Sequence, residues 1–420
     1  MSGLEIITLG CRLNSFESEV MREQATAAGL KDTVIINSCA VTAEAERQTR
    51  QSIRRAAKDR PGAQIIVAGC AVQITPAKFA AMPEVDRVLG NTEKLLPEHY
   101  APEHFAPGGA GRVAVSDIMT ETSMPGQMVT GFETRSRAFV QIQQGCDHRC
   151  SFCIIPFGRG NSRSVRPGRI IEQARRLVAE GYLEAVLTGV DISSYGGDLA
   201  DGNGLGRLAR TLLGAVPGLA RLRLSSLDPA RVDRDLIDLA GSEPRLMPHF
   251  HLSVQAGSDL ILKRMKRRHL RADVIELCRD LRGVRPGAVF GADLIAGFPT
   301  ESEAMFAETL SLIEEAGLAY LHVFPYSPRP GTPAAAMPQI DPLVRRERAQ
   351  RLRQAGNAVK SRYLKRLVGS RATVLTEKDG KGYTEHYAPV RLAGAPQPGS
   401  LLPVEILGVR DMVLTAEPVR

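Results

Sequence analysis

The sequence predicts an α/β protein with three parts: an N-terminal parallel α/β sheet, a central partial (β/α)6 barrel and a small C-terminal antiparallel β-barrel. Two observations support this prediction. Apolar strand-like runs alternate with helical stretches in two separate regions of the 420-residue chain, which indicates parallel sheets. The last part changes to short apolar runs between Gly and Pro turns, which is typical of a small barrel. We expect domains at 1–115, 132–365 and 366–420.

The N-terminal region contains three short apolar runs, and each is followed by a cysteine. Helical stretches such as Ala43–Arg60 separate the runs. Parallel strands present their carboxyl ends at one edge of a sheet, so the three cysteines should meet there. The alternative is three unrelated buried cysteines, which pack like small hydrophobic residues. The runs and their cysteines are Leu4–Leu9 with Cys11, Thr33–Ile36 with Cys39, and Gln64–Ala68 with Cys70.

A Pro-, Gly- and Ser-rich stretch over residues 101–134 reads as a linker, and six β/α units follow it. Their pattern predicts a partial (β/α)6 barrel, although a doubly wound sheet would alternate in the same way. The strand candidates are Ala138–Gln143, Glu184–Thr188, Arg221–Ser225, His249–Gln255, Val289–Ile295 and Tyr320–Phe324. The helical stretches are Arg169–Glu180, Leu205–Ala215, Val232–Ala240, Asp259–Met265, Ala272–Arg282 and Glu301–Ala316.

Composition indicates an ordinary globular protein, with 43% hydrophobic and 24% charged residues. The chain has no apolar run long enough for a membrane span, and its first residues lack the features of a signal peptide, so we expect a cytoplasmic protein. Disulfides are disfavoured there, and clustered cysteines therefore point to metal binding or catalysis. A net charge of +8 is compatible with a nucleic-acid partner. The basic helical stretch 341–366 leads into strand candidates Ala372–Leu375, Tyr387–Arg391, Leu402–Ile406 and Met412–Ala416.

A second, compact cysteine triplet follows the first strand of the barrel region. Cys146, Cys150 and Cys153 have the spacing C-x3-C-x2-C, and three thiolates leave one position of a metal centre open. This arrangement fits a [4Fe–4S] cluster with one iron free to bind a small ligand. Zinc is the competing interpretation, with His148 inside the loop as a strained fourth ligand. Cys278 shares a helical face with apolar residues, so we expect it to lie in the core.

These motifs resemble those of the radical S-adenosylmethionine methylthiotransferases over nearly the whole chain. The compact loop, with Phe152 before its last cysteine, is similar to the family's signature loop. The start of the chain resembles the tRNA threonylcarbamoyladenosine type best. Asp228, Ser253, Val254 and Ala256 depart from the family's commoner residues. The matching runs are Thr8–Asn14, Asn37–Thr42, Gly69–Gln73, Phe139–Gly160, Arg223–Pro229 and His251–Asp259.

The resemblance implies the chemistry and the partners. Enzymes of this family bind S-adenosylmethionine on the open iron of a cluster held by Cys146, Cys150 and Cys153, and they form a 5′-deoxyadenosyl radical from it. A second [4Fe–4S] cluster on Cys11, Cys39 and Cys70 supplies or carries the sulfur. The C-terminal barrel resembles the RNA-binding TRAM domain. Expected partners are the anticodon stem-loop of tRNA and an electron donor such as a flavodoxin or ferredoxin, with the protein acting as a monomer.

Further site residues are expected at the carboxyl ends of the barrel strands, where this type of barrel binds its ligands. For Gly297 and Pro299, turn geometry is an equally good explanation. The arginines after the compact loop and a basic patch near residue 265 are candidates for RNA phosphate. The expected cofactor-binding residues are Phe152, Thr188, Gly189, Asp191, Ser225, Ser226, Gln255 and Gly297, and the expected RNA-binding residues are Arg159, Arg163, Lys263, Arg264 and Arg267.

The predicted activity is methylthiolation at C2 of N6-threonylcarbamoyladenosine at position 37 of tRNA. Two alternatives keep the same chemistry, with isopentenyl-adenosine in tRNA or a ribosomal-protein side chain as the substrate. A third alternative belongs to another class: a non-catalytic iron–sulfur protein that binds RNA or senses redox state. Release of 5′-deoxyadenosine from S-adenosylmethionine distinguishes an enzyme from that last class.

Overall fold

The computed structural model describes residues 3–105, 111–124, 126–133, 135–200, 202 and 204–419 of the chain. These residues form an open parallel sheet, a partial barrel and a small closed barrel, which confirms the predicted fold class. None of the helices in the described ranges is both long and apolar enough to cross a membrane.

The N-terminal sheet is parallel throughout, with its strands in the order β1-β2-β3-β4-β5. Its centre is apolar on both faces, because every residue of β2 is buried and the run Val34-Ile35-Ile36 is β-branched. The strands are β1 (Glu5–Thr8), β2 (Thr33–Ser38), β3 (Gln64–Gly69), β4 (Arg87–Leu89) and β5 (Val113–Ala114). The helices are α1 (Arg12–Ala27), α2 (Ala43–Asp59), α3 (Cys70–Ile74) and α4 (Pro76–Ala80).

Six parallel strands build the partial barrel in two groups, β6-β9-β10 and β11-β12-β13. Two single parallel bridges, Leu222 with Leu246 and Leu227 with Leu252, connect the groups. This arrangement is the predicted partial barrel rather than a doubly wound sheet. The strands are β6 (Ala138–Gln141), the short hairpin pair β7 (Gln143–Gln144) and β8 (Arg163–Ser164), β9 (Glu184–Thr188), β10 (Arg221–Leu224), β11 (His249–Gln255), β12 (Val289–Ala296) and β13 (Leu318–Pro325).

Helices cover the outer face of these strands and bury an apolar core against them. The helices of this part are α6 (Pro167–Ala179), α7 (Leu205–Ala215), α8 (Arg234–Ser242), α9 (Asp259–Arg264), α10 (Arg271–Val284), α11 (Glu303–Glu315) and the long α12 (Pro342–Arg366), together with the short α5 (Ile155–Arg159), which contacts α3 of the N-terminal part. Short 3-10 turns lie at Glu93–Leu95, Pro97–Tyr100, Pro102–Phe105, Ile118–Thr120, Ile192–Ser194, Pro229–Arg231, Pro333–Ala336 and Lys378–Gly380.

The C-terminal barrel closes in the order β14-β15-β16-β18-β17. Its pairs are antiparallel except β16 with β18, which run parallel. The sequence pattern missed β15, because this strand has only three residues and one of them is Gly382. The strands are β14 (Arg371–Thr376), β15 (Lys381–Tyr383), β16 (Pro389–Leu392), β17 (Leu401–Arg410) and β18 (Val413–Pro418).

The stretch that reads as a linker is largely built into the fold. β5 joins the N-terminal sheet, and Val129 and Phe132 are buried in the core of the partial barrel. Residues 106–110, 125 and 134 of this stretch lie outside the described ranges. The described segments thus cross from one core to the next and contribute side chains to both parts.

The partial barrel and the C-terminal barrel meet at a buried carboxylate, Glu184. Its Oε1 accepts a hydrogen bond from Nε of Arg223 over 2.8 Å, and its Oε2 lies 3.6 Å from Arg221. The same two arginines reach across the seam and donate to main-chain carbonyls of the C-terminal barrel. Glu184 is fully buried, so it balances charges that water cannot screen.

Replacing Glu184 with Gln is expected to lower the free energy of unfolding by about 3–5 kcal/mol, because Arg223 would then be buried beside a neutral group. Urea denaturation of both proteins measures the difference. Glu172→Gln is the control, since Glu172 is exposed on α6 and pairs with Arg169, and it should change stability by less than about 1 kcal/mol. Equal effects of the two substitutions would contradict the role assigned to Glu184.

Candidate iron–sulfur and cofactor site

The cysteines of the dispersed triplet, Cys11, Cys39 and Cys70, lie together at the carboxyl edge of the N-terminal sheet. Cys39 and Cys70 directly follow β2 and β3, and Cys11 is the N-cap of α1. Gly10 allows the first two loops to meet. It has φ +100°, and a Cβ on it would lie 2.9 Å from Cβ of Cys39. The strand pattern in the sequence predicted this convergence.

A buried arginine from the partial barrel lies against the dispersed triplet. Arg159 is 2% exposed, and its Nε donates to Sγ of Cys70 over 3.1 Å. Its Nη2 donates to Oδ1 of Asn14, and that oxygen is 3.7 Å from Sγ of Cys11. On the far side, Nδ2 of Asn91 is 3.7 Å from Sγ of Cys70. Donors directed at sulfur are what a thiolate-held cluster uses to adjust its potential.

The charge of Arg159 is balanced by Glu17 on α1. Glu17 accepts from both Nη atoms of Arg159 and also from Nζ of Lys94 at 2.6 Å, and all three side chains are buried. Burial alone would raise the pKa of Glu17, but the two cations hold it below its usual value. Two cations and one carboxylate leave one positive charge beside the triplet, which suits an anionic cluster.

Two thiols of this triplet, those of Cys11 and Cys39, are unfavourable as free thiolates. Cys11 is partly open to solvent, but the protein groups around it desolvate the thiol and raise its pKa. Burial together with the charge of Cys70 raises the pKa of Cys39 to about 12. Without a metal both groups therefore stay protonated near neutral pH. Metal binding would deprotonate them, so three converging soft donors with a cation beside them fit a cluster site.

The compact triplet occupies the loop between β7 and α5, at the carboxyl end of the partial barrel. Ser151 anchors this loop: its N–H donates to the carbonyl of Met265, and its hydroxyl donates to the carbonyl of Arg264. Burial is the main cause that raises the pKa values of Cys146 and Cys153 to about 12. Nη1 of Arg267 lies 3.8 Å from Sγ of Cys150, which gives this triplet a cation as well. The donor set again fits a cluster.

Asp191 and His148 pair beside Cys146. Nε2 of His148 is 3.2 Å from Oδ2 of Asp191, and Sγ of Cys146 is 4.0 Å from the same oxygen. Ser194 also donates to this carboxylate at 2.7 Å. Cys146, His148 and Asp191 are close enough together to hold a metal ion, but Cys150 and Cys153 are not part of this group. The geometry thus gives His148 a carboxylate partner rather than a place as fourth ligand of the triplet.

The structure brings the expected cofactor-binding residues to the edge where the compact triplet lies. Each of them follows or ends a barrel strand, except Phe152, whose ring packs edge-on against Phe298 with centroids 6.5 Å apart. Gln255 ends β11 with φ +71°, a strained backbone for a non-glycine residue. The strand ends are Thr188, Gly189 and Asp191 after β9, Ser225 and Ser226 after β10, Gln255 on β11, and Gly297 after β12.

Both glycines in this set have packing reasons of their own. A Cβ on Gly189 would lie 2.8 Å from the carbonyl oxygen of Gln143. Gly297 has φ +70°, donates its N–H to Glu301, and would bring a Cβ within 2.6 Å of Arg345. Turn and packing geometry therefore account for Gly297, which the sequence left open between a turn and a ligand contact.

Three of the five residues that we expected to bind RNA, Arg159, Arg163 and Arg267, make contacts inside the protein instead. Arg159 and Arg163 are 2% and 4% exposed, and Arg163 donates to the carbonyl of Arg159. Arg267 faces Cys150 and lies 3.2 Å from Asp228. Arg264 is partly buried and donates to Thr300. Of the five, Lys263 is exposed and keeps the expected surface position. Lys266 and Arg268 beside it are exposed as well.

Sequence reasoning missed the polar residues around the dispersed triplet. Asn14 lies one helical turn after Cys11, a spacing that could have indicated a common role. Glu17, Asn91 and Lys94 have no spacing that relates them to a cysteine, and only the fold brings them there.

The basic helix α12 has two buried arginines. Arg345 donates to the carbonyl of Tyr326, and Arg348 donates to Glu301. Its exposed basic residues are Arg346, Arg353, Arg362, Lys365 and Arg366.

Two family models match the chain. Residues 140–313 match the radical SAM superfamily, and residues 4–90 match the uncharacterized protein family UPF0004. Among solved structures, the radical S-adenosylmethionine methyltransferase TsrM from Kitasatospora setae is similar, with a TM-score of 0.56 and 15% identity. The match covers 79% of this chain and 74% of TsrM, and it supports the fold alone.

Curated relatives match over almost the whole length. The threonylcarbamoyladenosine tRNA methylthiotransferase MtaB of Rickettsia prowazekii is 47% identical over 407 residues, which are 97% of this chain and 95% of the relative. MtaB of Bacillus subtilis is 34% identical, with 97% and 94% covered. The tRNA-2-methylthio-N(6)-dimethylallyladenosine synthase of Roseobacter denitrificans is also 34% identical, with 98% of both chains covered.

Replacing Glu17 with Gln is expected to lower the free energy of unfolding by about 3–5 kcal/mol, because Arg159 and Lys94 would lose their shared carboxylate. Chemical denaturation under one set of conditions measures the change. Glu44→Gln is the control, since Glu44 is exposed on α2 and water screens its pair with Arg47, so this substitution should leave stability nearly unchanged. A Glu17→Gln protein as stable as this control would show that the buried network is not needed for folding.

Proposed function

Because the chain belongs to the radical S-adenosylmethionine methylthiotransferase family, we propose that it adds a methylthio group to C2 of N6-threonylcarbamoyladenosine at position 37 of tRNA. The observation that carries the proposal is the 47% identity to an MtaB enzyme over 97% of the chain, with both cysteine triplets in place. Family membership implies S-adenosylmethionine and one [4Fe–4S] cluster. The second cluster, on Cys11, Cys39 and Cys70, is part of the proposal.

In this proposal, Cys146, Cys150 and Cys153 hold the cluster that binds S-adenosylmethionine. When bound, the two together supply a radical able to abstract a hydrogen atom from an unreactive C–H bond. The chain's own residues position and shield this chemistry. Arg267 offsets negative charge at Cys150, Asp191 is placed to accept from a cationic group of the ligand, and the Phe152–Phe298 pair excludes water from one side.

The dispersed triplet has a separate role in the proposal, which is to present the sulfur that is transferred. Arg159 and Asn91 both donate towards Sγ of Cys70, and Asn14 lies beside Cys11. These contacts hold the loops around the sulfur source in one arrangement. The exposed face of Lys263, Lys266 and Arg268 is proposed to contact tRNA phosphate. We also propose that the enzyme acts in the cytoplasm, as a monomer, with a flavodoxin or ferredoxin as electron donor.

The second candidate substrate is isopentenyl-adenosine in tRNA. The relative from Roseobacter denitrificans, 34% identical over the full length, favours it as the alternative. That substituent is a neutral hydrocarbon, whereas the threonylcarbamoyl group ends in a carboxylate. The two substrates therefore demand different residues around the N6 position, and a direct measurement of the modified nucleoside separates them.

Deletion of the gene is expected to remove 2-methylthio-N6-threonylcarbamoyladenosine from tRNA and to leave N6-threonylcarbamoyladenosine in its place. Mass spectrometry of digested tRNA from the deletion strain and from a complemented strain measures both nucleosides. If the first nucleoside persists unchanged while a 2-methylthio-isopentenyl nucleoside is lost, the enzyme acts on the second candidate substrate.

Cys150→Ala is expected to abolish release of 5′-deoxyadenosine after anaerobic reduction, whereas Cys39→Ala should keep that release and lose methylthiolation. Each variant should also lose about four irons per chain, the content of one cluster. Cys278→Ala is the matched control, because Cys278 is buried in the barrel core away from both triplets and should keep the full iron content. Identical failure of Cys150→Ala and Cys39→Ala, with both folded, would disprove the division of roles.

A further inference from the structure

A cavity of about 210 Å³ lies where the three parts of the protein meet. Cys11 and Arg12 line it from the N-terminal sheet, Arg135, Arg137 and Arg223 line it from the partial barrel, and Tyr387 lines it from the C-terminal barrel. Because Cys11 belongs to the dispersed triplet, a group bound in this cavity lies beside the proposed sulfur source.

The cavity is strongly basic. Four arginines and one histidine line it, and no carboxylate does so within the described chain. Arg137 and Arg223 have partners behind the cavity wall: Arg137 lies 2.8 Å from Glu377, and Arg223 lies 2.8 Å from Glu184. Their charges are thus balanced by the seam between the two barrels.

Arg12 and Arg135 differ from Arg137 and Arg223 in how their charge is balanced. Over the ranges that the structure describes, neither guanidinium has a carboxylate within 4.0 Å. Arg12 lies 6.0 Å from the ring centroid of Tyr387, and Arg135 lies 5.2 Å from that of Phe139, with one 3.4 Å contact to the hydroxyl of Ser15. Aromatic faces hold these cations in place but do not neutralise their charge.

Two neighbouring groups respond to this excess of positive charge. Burial would raise the pKa of Tyr387, but Arg137, Arg12 and Arg223 bring it below its usual value. The pKa of His249 is lowered well below its usual range by burial and then by the arginines, so its ring is neutral and adds no cation. The lowered pKa of Tyr387 indicates that the cavity stabilises negative charge, whereas burial is the main cause of the lowered pKa of His249.

We propose that this cavity binds the threonyl carboxylate of the N6-threonylcarbamoyl group, with Arg12 and Arg135 donating to it, and that this contact selects the substrate. The inference rests on the proposed function. Guanidinium groups bind carboxylates through paired, charge-assisted hydrogen bonds. A neutral hydrocarbon in the same place would leave two arginines desolvated without partners, and such sites reject the wrong ligand strongly.

An RNA phosphate is the other source of an anion for these arginines. The apolar part of the lining, Phe139, Val186 and Leu224, suits the methyl-bearing side chain of the substituent better than a charged sugar–phosphate backbone. The position beside Cys11 also matches a group attached to the reacting base. We therefore assign the cavity to the carboxylate, and the experiment below separates it from phosphate.

The test compares two anticodon stem-loop RNAs, one with N6-threonylcarbamoyladenosine and one with the methyl ester of the same group. Binding to anaerobically reconstituted holoenzyme is measured by fluorescence anisotropy. The wild-type protein should bind the carboxylate RNA about 10- to 100-fold more tightly than the ester RNA. Arg135→Gln and Arg12→Gln should each reduce this ratio, and Arg135→Lys should retain part of it. Arg234→Gln, on the outer face of α8, should leave it unchanged.

Each outcome bears on the assignment. Equal binding of the two RNAs by the wild-type protein overturns the proposal, and this comparison does not depend on whether any variant folds. Weaker binding of both RNAs by the arginine variants, with the ratio unchanged, would assign the arginines to phosphate and would also overturn it. Methylthiolation by the wild-type enzyme is measured in parallel. No product from the carboxylate RNA means that the proposed function has failed, whereas product from both RNAs with equal affinity refutes the carboxylate contact alone.

Discussion

One buried guanidinium determines how the two cysteine triplets stand relative to each other. Arg159 belongs to the loop region that follows the compact triplet, yet its donors end on Cys70, Asn14 and Glu17 of the N-terminal part. A buried charge cannot exchange these partners for water, so a shift between the two parts would leave it uncompensated at a cost of several kcal/mol. The network therefore specifies an arrangement more than it adds stability. The amide of Asn91, which donates to the carbonyl of Gly158, reinforces the same contact.

The topology explains how two separate cysteine triplets form in one chain. A parallel sheet places the residues after its strands at one edge, and this chain uses that rule twice, once in an open sheet and once in a partial barrel. Cysteines that are 28 and 31 positions apart thus become neighbours without a shared motif, while the compact triplet needs only one loop. The glycines at positions 10 and 69, both with positive φ, remove the side chains that would keep the strand ends apart.

The sequence predicted the regular elements well, because strand alternation, turn residues and cysteine placement are local signals. Glu184–Thr188 and Leu205–Ala215 agree with the structure residue for residue. The errors have a common physical origin. The sequence pattern predicts a surface position for Arg159, because its partner Glu17 is 142 positions away and no neighbouring residue indicates that the charge is buried. The stretch 101–134 reads as a linker because packing of Val129 and Phe132 depends on a distant core. Long-range electrostatics and packing are what a single sequence leaves out.

The seam between the two barrels has a consequence for how this protein can change. Arg221 and Arg223 hold the C-terminal barrel through the carbonyl oxygens of Thr373, Thr384 and Glu385. Every amino acid carries such a carbonyl, so these hydrogen bonds do not depend on which side chains stand at Thr373 and Thr384, whereas the carboxylate of Glu385 also lies 3.9 Å from Arg221. Surface residues of the C-terminal barrel can therefore change by mutation while this barrel keeps its position against the partial barrel. Its outward face can therefore diverge under constraints separate from those on the cysteine loops.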